Sequence, residues 1–204
     1  MRNLGQRLTQ LQILFPYVLT KHQALINALL FQCNWFVCIF APLYFSFISA
    51  TLLLIWHFNY LGRRAYEWRT MLIFSGLGYA CDSLLANFST LHFTDAIIIT
   101  LPFTSLNLTL APLWLLFLWL SFSSCLNHAL FFLQTRLKLC AVLVIISIPL
   151  NYYVGAVLTG SEFLQSIPWI LFLITLYWLV LLPLALHQLE KDRKSLKRQG
   201  GLLS

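Results

Sequence analysis

Charged residues are scarce in this sequence. Asp, Glu, Lys and Arg make up 9% of its 204 residues, whereas soluble domains carry roughly 25%. Hydrophobic residues make up 60% of the chain, and a soluble fold has no interior large enough to bury them. The composition therefore excludes a soluble domain, and the length predicts a single membrane-embedded unit rather than two domains.

Recognisable catalytic and metal-binding motifs are also missing. The sequence has no CxxC pair or Cys/His zinc spacing, no HExxH, no phosphate-binding loop and no dinucleotide fingerprint. The five cysteines are interpreted as small apolar packing residues. An intramembrane aspartyl protease needs two aspartates that share a proton, but only Asp82 lies inside an apolar stretch. We therefore predict no catalytic residue, no cofactor and no bound metal.

Six apolar stretches follow one another along the chain, each long enough to cross a bilayer. The predicted fold is an all-α, six-helix polytopic membrane bundle over residues 22–188, followed by a basic cytoplasmic tail over 189–204. Residues 1–21 form a cytoplasmic segment that is either a short helix in the membrane interface or a mobile tail. The predicted spans cover residues 22–40, 42–60, 70–88, 112–133, 138–158 and 166–187.

Every basic residue falls on one side of this arrangement. If the N-terminus is cytoplasmic, all 13 Lys and Arg residues lie in the N-terminal segment, the second and fourth connections, or the C-terminal tail. Cytoplasmic loops of membrane proteins carry an excess of these residues. We therefore predict that both termini are cytoplasmic. The net charge of +7 then reflects topology and not nucleic-acid binding.

Residues 89–110 interrupt the series of long helices. Residues 91–100 are rich in β-branched side chains but too short to cross a bilayer, and Pro102 follows them. Residues 106–110 alternate apolar and polar side chains, which is typical of a strand. Three alternatives stay open: a β-hairpin, a re-entrant segment, or a plain apolar loop. Either of the first two would cover the bundle as a lid.

Asp82 is the feature around which we expect the bundle to pack. A carboxylate at membrane depth costs at least about 2.5–3.5 kcal/mol, so it is rarely left facing lipid. Several polar side chains on other spans lie at a similar depth, about 18–20 Å from the cytoplasmic face. The predicted pocket is a ligand-binding or proton-handling site, or polar groups that join helices. Its members are Asp82, Asn34, Ser121, Ser124, His128, Asn151 and Tyr152.

Three histidines, His57, His128 and His187, fall near the cytoplasmic ends of three different predicted spans. A facing pair of histidines could ligate haem or a metal ion. Since no recognisable spacing supports that, we interpret them as interfacial or capping residues.

Four short segments resemble a family of bacterial inner-membrane proteins, identified as domain of unknown function 2878. They are GYACDSLL at 78–85, APLWLLFLW at 111–119, LNHAL at 126–130 and PLNY at 149–152. The resemblance extends from the first span to about Gly160. It implies a location in the bacterial inner membrane and supplies no activity.

Three function classes remain. The first is a binding or transport protein with a small or lipidic ligand at Asp82, the second is a scaffold or accessory subunit, and the third is a membrane enzyme that uses Asp82 or His128 on a lipid substrate. We favour non-enzymatic binding or scaffolding. Transport by a single copy is not favoured, because the six spans show no obvious internal repeat of the kind that many transporters carry.

The expected partners are membrane lipids, and a membrane protein or a second copy of this chain. Basic residues that directly follow the last span are expected to bind anionic lipid head groups. They are Lys191, Arg193, Lys194, Lys197 and Arg198.

Overall fold

The computed structural model describes the backbone of residues 22–61, 65–100 and 107–201, and the side chains of 22–61, 67–100 and 107–195. The predicted N-terminal segment, residues 1–21, lies outside the described residues. All statements below concern the described part of the chain.

Helices dominate the fold. Four of those described are long and apolar enough to cross a membrane: α1, α2, α5 and most of α6, over Ile167–Ser195. Helix α3 has 23 residues, a length of about 35 Å at 1.5 Å per residue. It is long enough to cross a membrane but is not among the four helices that are also apolar enough. The helices are α1 His22–Phe40, α2 Leu43–Tyr60, α3 Ala65–Asn87, α4 Leu113–Ser123, α5 Leu137–Thr159 and α6 Ile167–Gly201.

Helix α4 is shorter than predicted. The sequence predicts one helix over 112–133, but α4 ends at Ser123, and the chain continues through turns to a 3-10 helix at Phe131–Leu133. The hydroxyls of Ser123 and Ser124 each donate to a backbone carbonyl three residues earlier. Such bonds compete with the helical ladder, and three serines within four residues, at 121, 123 and 124, weaken the helix at that point.

The hairpin alternative for residues 89–110 is the one observed. Strand β2 (Ile97–Thr100) pairs antiparallel with β3 (Asn107–Leu110), with Ile97 opposite Leu110 and Thr100 opposite Asn107. A second, two-residue ladder joins β1 (Leu91–His92) to β4 (Glu162–Phe163). This ladder brings the connection after α3 next to the connection after α5, so both lie at the same end of the bundle.

Helix α3 packs against α4, α6 and β3. Its side chains hold the entry to α4: the Ala111 amide donates to Ser83 Oγ at 3.0 Å, and Tyr79 Oη donates to the Ala111 carbonyl at 2.6 Å. The Asn87 side chain bonds both backbone groups of Thr109. The helix therefore positions the hairpin and the start of α4 together.

The outer surface of the bundle is apolar. Large hydrophobic side chains such as Leu52 (61% exposed), Ile146 (64%) and Leu184 (61%) point away from the core on three different helices. An apolar surface of this extent marks contact with a membrane or a partner rather than with water. The chain is therefore a membrane protein, in agreement with its apolar helices.

Candidate functional site

The carboxylate of Asp82 is the centre of a hydrogen-bonded cluster that joins four helices. Asp82 is 0% exposed. Trp119 Nε1 of α4 donates to its Oδ2 at 2.6 Å, and the hydroxyls of Tyr152 of α5 and Tyr177 of α6 donate to its Oδ1 at 2.7 and 2.8 Å. The two tyrosine hydroxyls also contact each other. We call Asp82, Trp119, Tyr152 and Tyr177 the Asp82 cluster; each carboxylate oxygen has at least one donor.

Gly78 makes room for this cluster. It lies one helical turn before Asp82, and a Cβ atom at Gly78 would stand 2.4–2.5 Å from three atoms of the Trp119 ring. The ring also stacks on Trp178, with centroids 4.6 Å apart and an interplanar angle of 18°. Because the indole lies flat on the bare backbone of α3, its N–H reaches the Asp82 carboxylate.

A second cluster joins α1, α2 and α4. Asn34 Nδ2 donates to Ser121 Oγ at 2.9 Å, and Ser49 donates to Asn34 Oδ1. Further along α1, Asn27 Nδ2 donates to Ser124 Oγ at 3.1 Å. These five residues, the asparagine–serine cluster, form interhelical bonds of the kind that hold membrane helices together.

A third cluster lies where α2 ends and α3 begins. The ligand atoms of His57, Glu67 and His128 all lie within 4.8 Å of one another. The exposed fraction is 1% for His57 and 4% for Glu67, and His128 is half-buried. The ring centroids of the two histidines are 5.1 Å apart. We call these three residues the histidine cluster.

The structure distributes the predicted pocket residues over different places. Asp82 and Tyr152 meet directly, whereas Asn34, Ser121 and Ser124 belong to the asparagine–serine cluster and His128 to the histidine cluster. Asn151 is exposed, and its side chain donates to the Ser147 carbonyl of its own helix. The expected single pocket is therefore divided, because a depth estimate places a residue along a helix but not around it. Whether any of these residues binds a ligand stays a prediction.

Sequence reasoning missed Trp119, Tyr177 and Glu67. The first two are aromatic residues with a polar tip inside apolar helices, and buried Trp N–H and Tyr O–H groups usually find an acceptor. That rule, applied to Asp82, would have selected them. Glu67 lies between the predicted second and third spans, and no feature of the sequence predicts its contact with His57 and His128.

A partly open cavity of ≈ 280 Å³ lies beside the Asp82 cluster. Its lining comes mainly from α1, α4, α5 and α6, and on α5 it extends from Leu143 to Thr159, about 24 Å along the helix axis. Most lining side chains are apolar. Trp119 and Tyr152 belong to both the lining and the Asp82 cluster, whereas Asp82 itself does not line the cavity.

The model of a family described as "Protein of unknown function (DUF2878)" matches residues 24–184. The chain belongs to this family. The resemblance noted in the sequence is thereby confirmed. Within this DUF2878 chain, the matched residues include all three polar clusters and the cavity lining. Comparisons with curated proteins and with solved structures gave no significant match.

Proposed function

We propose that this protein is a non-enzymatic lipid-binding protein of the bacterial inner membrane, and that this cavity holds the apolar chain of a membrane lipid. The observation that carries the proposal is the cavity itself, which is elongated, apolar and partly open, in a bundle whose outer face is apolar. Its volume of ≈ 280 Å³ is near the lower end of ligand pockets, which measure roughly 300–1,000 Å³.

The polar groups of the lining supply selectivity. A lipid chain gains little from leaving other lipid chains, because the bilayer interior is as apolar as the cavity. Preference for one lipid therefore comes from hydrogen-bonding groups such as Ser147, Asn151 and Ser161, which line the cavity at different heights. We expect the ligand to be an amphiphile with a polar group that reaches one of them.

The arrangement of Asp82 supports binding rather than acid–base chemistry. Its carboxylate already accepts bonds from three donors, and it lies behind Trp119 and Tyr152, away from the cavity lining. A general acid or base needs access to the proton it moves. Asp82 therefore fits a fixed element that holds four helices around the cavity.

Two glycines offer a matched test of lipid binding. A Cβ atom at Gly155 or at Gly76 meets no atom of the described residues within 4 Å, and of these two glycines Gly155 lines the cavity. Gly155→Leu places a side chain in the cavity, whereas Gly76→Leu places one on the exposed face of α3. Native mass spectrometry of the detergent-purified protein should show fewer retained lipids for Gly155→Leu, with Gly76→Leu equal to wild type. Equal retention in both variants would contradict the proposal.

We further propose six membrane crossings with both termini in the cytoplasm. The β1–β4 ladder supports this topology because it joins two connections that must share the opposite face. The segment after α4 also supports this topology. It brings His128 next to Glu67 at the start of α3, which is the end of the bundle that the proposal places at the cytoplasmic face. Cysteines introduced at Glu162 and Ser195 should be labelled only from the periplasm and only from the cytoplasm, respectively. Labelling of either from the other side would remove this topology.

The basic tail is proposed to bind anionic lipid head groups. It continues α6 as a helix to Gly201, and Lys191 is exposed on it. Lys194 pairs with Glu190 at 2.7 Å, and Arg193 lies 4.5 Å from the ring centre of Phe131. A free basic residue near such a surface contributes about 1 kcal/mol. Lys191→Gln should therefore weaken the affinity for acidic nanodiscs at low salt more than Lys194→Gln does; equal effects would contradict this.

A further inference from the structure

The histidine cluster contains buried polar atoms without hydrogen-bond partners. Both ring nitrogens of His57, Oε2 of Glu67 and Nε2 of His128 have none among the described residues. Burial of a polar group without a partner destabilises the folded state, and native proteins leave few such groups. Four of these atoms in three neighbouring side chains therefore require a common explanation.

An ion pair inside the cluster does not supply that explanation. His128 Nε2 lies 3.8 Å from Glu67 Oε1, which is longer than a hydrogen bond. Even a closer approach of these two groups would leave both nitrogens of His57 without a partner. One cation at the centre of the three side chains would satisfy an atom of each.

We propose that His57, Glu67 and His128 bind one divalent transition-metal ion. Two imidazole nitrogens and one carboxylate oxygen are a donor set that zinc accepts, with a fourth position left for water. Other divalent first-row metals that accept imidazole and carboxylate ligands bind to the same set of donors. This assignment departs from the sequence prediction of no bound metal and is independent of the proposed lipid binding.

The spacing of the three ligand atoms fits one ion. Zinc–nitrogen bonds of about 2.0–2.1 Å place neighbouring ligand atoms about 3.3 Å apart, whereas the three ligand atoms here lie within 4.8 Å. Binding therefore draws the side chains inward by about 1.5 Å at most. A void of ≈ 10 Å³ next to the cluster is lined by His57 and Glu67 but not by His128, so the spacing of the ligand atoms alone supports the ion position.

Polar residues behind Glu67 orient it as a ligand. Asn127 Nδ2 donates to Glu67 Oε1, and Gln134 Nε2 donates to Asn127 Oδ1 at 3.1 Å. With Oε1 held in this way, Oε2 is the oxygen that remains free. Metal ligands are commonly fixed by such an outer set of hydrogen bonds, whose loss costs roughly 10- to 100-fold in affinity.

Zinc titration of the full chain tests the proposal. The protein is purified in detergent with a tag that contains no histidine, stripped with a chelator and titrated with Zn²⁺. We expect one zinc per chain by elemental analysis, together with a rise in melting temperature. Wild-type protein that retains no zinc after dialysis would overturn the proposal.

Substitutions locate the ion. His57→Phe and Glu67→Gln should each lower the zinc affinity by at least about 100-fold, more than the loss of one of the outer hydrogen bonds would. The control His187→Phe, at an exposed position on α6, should bind zinc as the wild type does. Since the His57 side chain makes no hydrogen bond within the described part of the chain, His57→Phe should remain folded. Unchanged affinity in the first two variants would overturn the site.

Cobalt provides a measurement that requires no variant. Co²⁺ bound to the wild-type chain should show the enhanced visible absorption of a four-coordinate site, without thiolate charge-transfer bands from the free cysteines. A spectrum equal to that of aqueous Co²⁺ would contradict the proposed ligands.

Discussion

Two buried polar clusters of this molecule differ in how completely their hydrogen bonds are made. In the Asp82 cluster each carboxylate oxygen has a donor, and the donors come from three other helices. In the histidine cluster both ring nitrogens of His57 and one oxygen of Glu67 have no hydrogen-bond partner within the described part of the chain. A complete network is typical of a structural connection, whereas an incomplete one leaves room for a further partner such as a water molecule or an ion. Burial alone would not have separated the two.

Removal of the Asp82 carboxylate should produce the largest effect. Asp82→Leu removes the acceptor that Trp119, Tyr152 and Tyr177 share, and each group left unsatisfied costs about 1–3 kcal/mol. We expect the free energy of unfolding in detergent to fall by at least about 3 kcal/mol. Asp82→Asn keeps one carbonyl oxygen and should lose about half as much.

Asp95→Leu is the control, since Asp95 is exposed near the hairpin. It should change the stability by no more than about 0.5 kcal/mol. An Asp82→Leu variant as stable as Asp95→Leu would mean that the cluster does not hold the helices together.

Zinc bound at the histidine cluster should stabilise the protein whether or not the Asp82 cluster is intact. At a concentration 100-fold above its Kd, zinc should add about 2.7 kcal/mol to the unfolding free energy. The same increment is expected in Asp82→Asn, because distant sites behave additively, and none is expected in His57→Phe. Thermal unfolding with and without zinc measures both. Loss of the increment in Asp82→Asn would show that the clusters are coupled.

A methyl group at Gly78 should disturb the Asp82 cluster by a smaller amount. Gly78→Ala forces the Trp119 ring away from α3, and overpacking of this kind costs about 1–3 kcal/mol. Gly76→Ala, two residues earlier, meets no atom within 4 Å and should gain up to about 1 kcal/mol from helix propensity. The two variants should therefore shift the melting temperature in opposite directions; a stabilised Gly78→Ala would contradict the observed contact.

Much of the helical layout followed from the sequence, but several boundaries did not: α3 begins at Ala65 rather than at 70, and α6 continues to Gly201 rather than ending at 187. Predicted spans over 22–40, 42–60 and 138–158 lie within two residues of helices α1, α2 and α5. The predicted helix over 112–133 ended early, because apolar composition does not reveal where serine hydroxyls compete for the backbone. The hairpin could be named only as one of three alternatives, since its short strands carry too few residues to be distinguished from a loop.

The sequence alone determined that this chain is a membrane protein and that Asp82 should be buried, because the cost of a charge in lipid is a local property of one residue. Only the tertiary structure decided the partners. Helical rise gives the depth of a side chain, but its direction depends on which faces pack, and that depends on contacts such as Gly78 with Trp119. His57, Glu67 and His128 meet because the fold brings together the last turn of α2, the first turn of α3 and the turns after α4.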